Sequence, residues 1–207
     1  LAIKQKTISL VSKREPERSA GIWAFGADYV ENWAYWDNIF SPEECANIIA
    51  LGESYILQKA KVRGDNTKIR NSEVSWLYPN EDTRWIFERI GSAITSLNNQ
   101  FFKFELHGLA EGFQFTKYKG PSGYYGAHID KTLNGLVRKL SITIQLSDSK
   151  DYTGGDLVLH VSADPETMIK DQGRLICFPS YVLHEVRPVT KGTRYSLVAW
   201  VTGTPFK

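Results

Sequence analysis

From Phe113 to the C-terminal end, apolar and polar residues alternate with period two, and glycine or proline marks the turns. A helix repeats its apolar positions every three to four residues, so this half of the chain cannot be helical. Strands are expected at 113–118, 125–130, 139–147, 156–161, 173–178 and 193–202. Short strands in succession with turn signals between them build a sandwich or a barrel.

The N-terminal half has a different period. Ser41-Pro42-Glu43-Glu44 combines a serine N-cap, a proline at the first helical position and a glutamate placed for a capping box. Cys45, Ile48, Ile49, Gly52 and Tyr55 follow at helical spacing, which predicts a helix over 41–57. A second is expected over 82–98, with Ile86, Ile90, Ile94 and Leu97 as its apolar stripe. Between them the polar VRGDNTKIRN segment reads as a loop and SEVSWLY as a strand. With 207 residues the chain fits one domain, expected at 35–207 after an irregular N-terminal arm over 1–34. The predicted class is α+β: a jelly-roll, cupin-like sheet pair supported by N-terminal helices.

Charge narrows the function. A net charge of +2, with Lys13, Arg14 and Arg18 diluted by Glu15 and Glu17, argues against a nucleic-acid partner. No apolar run reaches the ~20 residues of a membrane span, so no membrane association is expected. The first residues, LAIKQKTISL, lack the pattern of a secretion signal, although a start at Leu leaves a removed leader open. Cys45 and Cys177 read as buried small apolar residues, which suits a cytoplasmic location.

Two strands carry the chemistry. In KLSITIQLS, Leu140, Ile142, Ile144 and Leu146 share one face and Ser141, Thr143 and Gln145 the other. Taken alone, that polar face would meet solvent. In the last strand Arg194, Ser196, Val198 and Trp200 share a face, and neither face is plainly solvent-exposed. An arginine there enters a pocket and needs an anionic partner. Of the four histidines, only His128 lies in a metal-like local pattern, His128-Ile129-Asp130, whose alternate residues project to one side of a strand. His184, in FPSYVLHEV, is the best third ligand. Two histidines and a carboxylate on one face leave the opposite coordination positions open, as in non-haem Fe(II) oxygenases. His107 and His160 are expected outside that shell.

Arg194 follows His184 by ten positions. The HxD pair, the distant histidine and this arginine resemble the prolyl 4-hydroxylase branch of the Fe(II)/2-oxoglutarate-dependent dioxygenases. YKGPSGYYGAHID, KLSITIQLSDSKDYTGGDLVLH and FPSYVLHEVRPVTKGTRYSLVAWV are similar to family segments, the last to the closing segment of PKHD-type hydroxylases. WDNIFSPEECANII and IRNSEVSWL resemble its leading helix and its Arg-x-Ser strand. One departure is that Tyr118 stands ten positions before His128 where the family has nine, and an extra residue is expected to bulge the GPSGYY loop.

The resemblance implies a double-stranded β-helix and a set of roles. His128, Asp130 and His184 hold Fe(II), and Arg194 pairs with the distal carboxylate of 2-oxoglutarate. Tyr118, Ser141 and Thr143 bond that cosubstrate and Trp200 packs over it. Tyr125 and Arg138 face the substrate, and Arg70 and Trp76 rim its cleft, while Gly154 and Gly155 serve only as turn residues. The implied reaction consumes O2 and 2-oxoglutarate, releases succinate and CO2, hydroxylates a prolyl residue of a peptide or protein, and is stimulated by ascorbate. The alternatives are hydroxylation of a free amino acid or small molecule, and a jelly-roll binding or sensing module with no activity.

Overall fold

The computed structural model describes residues 30–60, 69–130, 132–133 and 136–205. Helix α1 (Pro42–Ser54) starts where the capping signals place it. Ser41 Oγ accepts from the Glu44 amide, and the Glu44 carboxylate accepts from the Ser41 amide. It ends short of the expected limit because Tyr55 turns extended. Helix α2 (Arg84–Leu97) buries Ile86, Ile90, Ala93, Ile94 and Leu97 and runs into a π-helical turn over Asn98–Phe102.

With strands numbered in chain order, the larger sheet runs β1 (Ala34–Trp36), β13 (Leu175–Pro179), β9 (Leu136–Gln145), β14 (Leu183–Gly203), β6 (Phe113–Lys119), β4 (Glu73–Leu77), β2 (Gln58–Lys59). Strand β5 (Leu106–Leu109) pairs with the end of β14, and β8 (Thr132–Leu133) with the start of β9. In the smaller sheet, the first part of β14 lies between β11 (Leu157–His160) and β7 (Gly123–His128). Strand β12 (Glu166–Thr167) flanks β11 and β3 (Arg70–Asn71) flanks β7. Strand β10 (Tyr152–Gly154) pairs with β14 where it crosses between the sheets.

The periodicity alone marks a strand only at 193–202. The structure instead has a single strand of 21 residues, Leu183–Gly203, serving both sheets. Residues 183–189 pair in the smaller sheet, and 193–202 pair with β6 and β9 in the larger. Gly192, at φ 75°, sits at the crossing, where a Cβ would lie 2.1 Å from the Asp151 carbonyl oxygen. Two antiparallel sheets sharing strands in this way, with helices against one of them, make a double-stranded β-helix.

There are two cores. One lies against the helices and contains Ile48, Ile86, Ile90, Phe113, Leu140, Ile142, Leu197 and Ala199. The other lies between the sheets and contains Leu157, Leu159, Ile176, Phe178, Val186 and Val189. The larger sheet is therefore covered on both faces. Ser141, Thr143 and Gln145 are all buried and look into the space between the sheets, not into solvent. Cys45 and Cys177 are buried free thiols. Burial pushes Cys45 up to about 12, and Cys177 shifts in the same direction.

The chain joins the sheet at Ala34, and the Trp33 indole donates to Glu166 at 2.8 Å. Residues 1–29 of the expected arm, and residues 62–68 of the expected loop, lie outside the described residues. No helix among the described residues is long and apolar enough to cross a membrane.

Helix α1 is seated through Gly52. A Cβ there would lie 2.4 Å from the ring of the fully buried Phe115. Gly52→Ala is therefore expected to destabilise the protein by ~1–3 kcal/mol, as overpacking does. Urea unfolding checks this, and an unchanged midpoint would show that α1 does not rest on Phe115.

Candidate active site

The site begins with an irregularity in β7. Against β14, His128 is opposite His184 and Tyr125 is opposite Val186, so β7 holds one extra residue between Tyr125 and His128. In a regular strand, residues three apart point to opposite faces; the bulge brings these two onto the same one. The Tyr125 and His128 rings stack at 3.5 Å between centroids. The bulge also turns the Gly126 carbonyl oxygen to within 2.9 Å of His128 Nδ1.

His184 Nδ1 lies 2.9 Å from the Val182 carbonyl oxygen. A carbonyl only accepts, so in both rings Nδ1 carries the hydrogen and Nε2 is left for another partner. Both Nε2 atoms face Asp130, at 3.6 Å from Oδ1 for His128 and 3.4 Å from Oδ2 for His184. Asp130 stands just past the end of β7, where its amide donates to the Ser180 carbonyl at 3.1 Å. Burial lowers His128 to about 4, with the neighbouring His184 adding to the effect, so the ring is neutral. Burial alone would raise Asp130, but the adjoining His184 and His128 outweigh it and hold the carboxyl well below its usual range. The donor atoms of His128, Asp130 and His184 lie within 4.8 Å of one another. Two imidazole lone pairs and a carboxylate converging in a buried space fit a divalent cation, and the donor set suits Fe(II).

At the other end of the same cavity is Arg194. It is 1% exposed. Its Nη2 donates to Gln145 Oε1 at 2.9 Å and its Nη1 to Ser196 Oγ at 3.4 Å, and its guanidinium lies 5.3 Å from the centre of the Tyr118 ring. Arg194 Nε, Gln145 Nε2 and Trp200 Nε1 are buried and have no hydrogen-bond partner among the described residues. No carboxylate among the described residues forms an ion pair with Arg194. The pocket thus presents donors that suit an anion. Gly155, expected to serve only the turn, closes against this arginine: at φ 66°, a Cβ would lie 3.0 Å from Arg194 Cδ.

The remaining predicted residues divide. Tyr118, Tyr125, Thr143, Trp200 and Arg70 line the cavity. Ser141 was expected at the carboxylate end. Instead its hydroxyl donates to Asp130 Oδ2 at 2.9 Å and meets Ser180 Oγ at 2.9 Å, so it braces the metal end. Arg138, expected to face the substrate, is tied to Glu111, with Nε at 3.1 Å from Oε2. Its guanidinium lies 4.0 Å from the centre of the Trp200 ring, so it positions that indole. Trp76 packs behind Trp200 at 6.3 Å between centroids and does not line the cavity. Gln145 and Ser196 were missed as partners of Arg194, although strand parity places them on the same faces as Thr143 and Arg194. Tyr152 was also missed. Its phenol is raised by burial while Arg194 opposes the shift, and only the sheet crossing brings it there. His107 is exposed, and His160 stands apart, 3.6 Å from Glu185.

Ser141→Ala removes the hydroxyl donor to Asp130, a support of the kind whose loss weakens metal binding about 10–100-fold. Mn(II) titration of the variant is expected to show a loss in that range. An affinity equal to wild type would mean that Ser141 does not hold the carboxylate.

Residues 113–202, from β6 to the end of β14, match the family model described as the 2OG-Fe(II) oxygenase superfamily. A PKHD-type hydroxylase of Prochlorococcus marinus (strain MIT 9515) is 34% identical over 146 residues, which is 70% of this chain and 61% of that protein. A PKHD-type hydroxylase of Idiomarina loihiensis is 40% identical over 79 residues, 38% of this chain and 36% of that one. The chain thus spans between 36% and 61% of the length of these two relatives. Among solved structures, a Pseudomonas putida prolyl-4-hydroxylase superposes with a TM-score of 0.67 at 21% identity, over 84% of this chain and 94% of that one. A Trichoplax adhaerens prolyl hydroxylase, solved with a hypoxia inducible factor peptide fragment, gives 0.70 at 20% identity, over 83% and 84%. These two likenesses bear on the fold alone. Together with the donor set, the family match over residues 113–202 and the curated relatives support a 2OG-Fe(II) oxygenase similar to PKHD-type hydroxylases.

Proposed function

We propose that this protein is an Fe(II)- and 2-oxoglutarate-dependent hydroxylase acting in the cytoplasm on a prolyl residue of a peptide or protein. One observation carries the reading. A single cavity has a His128–Asp130–His184 donor set at one end and, at the other, a buried Arg194 that no carboxylate among the described residues pairs with. In the family, Fe(II) and 2-oxoglutarate bound together supply the oxidising chemistry by which O2 places one atom in a substrate C–H bond and one in succinate, with CO2 released.

The chain's own groups bind, orient and exclude water. His128, Asp130 and His184 would hold the metal, with both imidazoles fixed in one tautomer by the Gly126 and Val182 carbonyls. Arg194 would take the distal carboxylate, aided by Thr143 and Tyr118, with Gln145 and Ser196 keeping its fork in place. Arg194 is sealed while His128 keeps 16% of its side chain exposed, so the substrate would approach from the His128 side. There Tyr125 and Trp200 offer aromatic walls for an apolar ring. The prolyl assignment takes its support from those walls and from the names of the similar proteins. A free amino acid or small acid as substrate is the second reading, and Arg70 favours it.

With Fe(II), 2-oxoglutarate and O2, the protein is expected to form succinate, and Asp130→Ala is expected to abolish this. A screen of prolyl peptides by mass spectrometry should show a gain of one oxygen atom. Absence of succinate from the wild-type protein under these conditions would contradict the enzymatic reading and favour a binding module.

A further inference from the structure

The turn behind Arg194 is held from outside by a lysine. Strand β10 ends at Gly154, and Gly155 and Asp156 lead into β11. Both glycines are in the left-handed region, at φ 75° and 66°. Lys170, from the segment between β12 and β13, bridges this turn. Its Nζ donates to the Gly154 carbonyl at 2.6 Å and pairs with Asp156 Oδ1 at 2.8 Å. Its ammonium also lies 5.2 Å from the centre of the Tyr152 ring. The lysine is itself anchored: two residues earlier, the Met168 amide donates to the Leu157 carbonyl at 2.8 Å, and the Met168 side chain is buried in the second core.

The turn bears directly on Arg194. A Cβ on Gly155 would lie 2.9 Å from Val189 Cγ2, 3.0 Å from Arg194 Cδ and 3.2 Å from Tyr152 Cε2, so three side chains converge on its backbone. Tyr152 is opposite Gly192, two residues before Arg194. Arg194 lines the cavity, whereas Tyr152, Gly155 and Lys170 do not, so the arginine stands between the turn and the ligand space. Its guanidinium can withdraw from the metal end only if the turn moves outward. The Gly155 amide opposes that movement by donating to the Pro188 carbonyl at 3.0 Å, and Lys170 opposes it from the far side. Lys170 keeps 23% of its side chain exposed, so its ion pair adds little to global stability and its effect is local.

We infer that Lys170 is a positioning residue for the cosubstrate. By pinning the turn that backs Arg194, it sets the depth of the carboxylate receptor, and with it the length of 2-oxo diacid that spans from the metal donors to the guanidinium. The inference rests on the oxygenase reading above for the identity of that ligand. A carboxylate gains from the two-pronged fit only where it meets the guanidinium at hydrogen-bond distance. A diacid one carbon longer than 2-oxoglutarate needs the fork to retreat towards the turn. Releasing the turn from outside therefore has a direction: it favours the longer diacid relative to 2-oxoglutarate.

The test is anaerobic calorimetric titration of the Mn(II)-loaded protein with 2-oxoglutarate and with 2-oxoadipate, its homologue one carbon longer. Wild type is expected to prefer 2-oxoglutarate by about 10–200-fold, the range that one methylene commands in a fitted pocket. Lys170→Met keeps the stem beside Tyr152 and removes both polar contacts. It should narrow that preference by about fivefold or more, with Mn(II) affinity unchanged. Lys170→Arg should restore most of the preference. Asp156→Asn, which leaves the Gly154 contact in place, should narrow it in the same direction, and carries the test alone if Lys170→Met does not fold. A lysine that only stabilised the fold would weaken both diacids by one factor. That outcome overturns the inference, as does an unchanged preference in the variants. Failure of the oxygenase reading is distinguishable, because metal-loaded wild type would then bind neither diacid, and both readings fall together.

Discussion

A guanidinium sealed between two sheets, with a glutamine and a serine as its hydrogen-bond partners, is the constraint around which the site is built. Removing an arginine from water costs several kcal/mol unless an anion and good hydrogen bonds compensate. Arg194 meets this only in part among the described residues, where its Nε has no partner. The surrounding features follow from that need. The inner face of β9 is polar in the middle of a buried sheet, and Gly155 lets the backbone close against the side chain. Tyr118 and Tyr152 lie beside the cation. An apolar residue in place of Arg194 would pack more cheaply, so the arginine is a cost to the fold.

The second requirement is that metal donors and anion receptor share one cavity, and β14 meets it. His184 and Arg194 lie on the same strand, on either side of its crossing from the smaller to the larger sheet, so their separation is set by backbone geometry and not by loops. The β7 bulge does comparable work at the metal end. One extra residue turns Tyr125 onto the face of His128 and aims the Gly126 carbonyl at Nδ1. Both devices use β-structure to place side chains within a few tenths of an ångström, which a metal centre needs.

Much of this was legible in the sequence because period two survives burial. Parity alone grouped Arg194, Ser196, Val198 and Trp200, and all four line the cavity. The Ser41–Glu44 capping box fixed the start of α1 through purely local chemistry. What could not be read was what depends on pairing between distant strands. The continuity of β14 was hidden by Pro188 and Gly192, which read as breaks. Ser141 sits on the correct face, but only the register with β13, where it is opposite Phe178, brings it beside Ser180 and Asp130. Arg138 read as free because Glu111 lies in a different segment, and charge pairing across sheets leaves no local pattern.

The central claim is that Arg194 waits for the distal carboxylate of 2-oxoglutarate while His128, Asp130 and His184 wait for a metal. The most direct test is anaerobic calorimetric titration of 2-oxoglutarate into Mn(II)-loaded wild type and Arg194→Gln. The account predicts one bound 2-oxoglutarate per wild-type chain, dependent on the metal, with affinity at least tenfold lower in the variant. Equal affinity in the two proteins would contradict it.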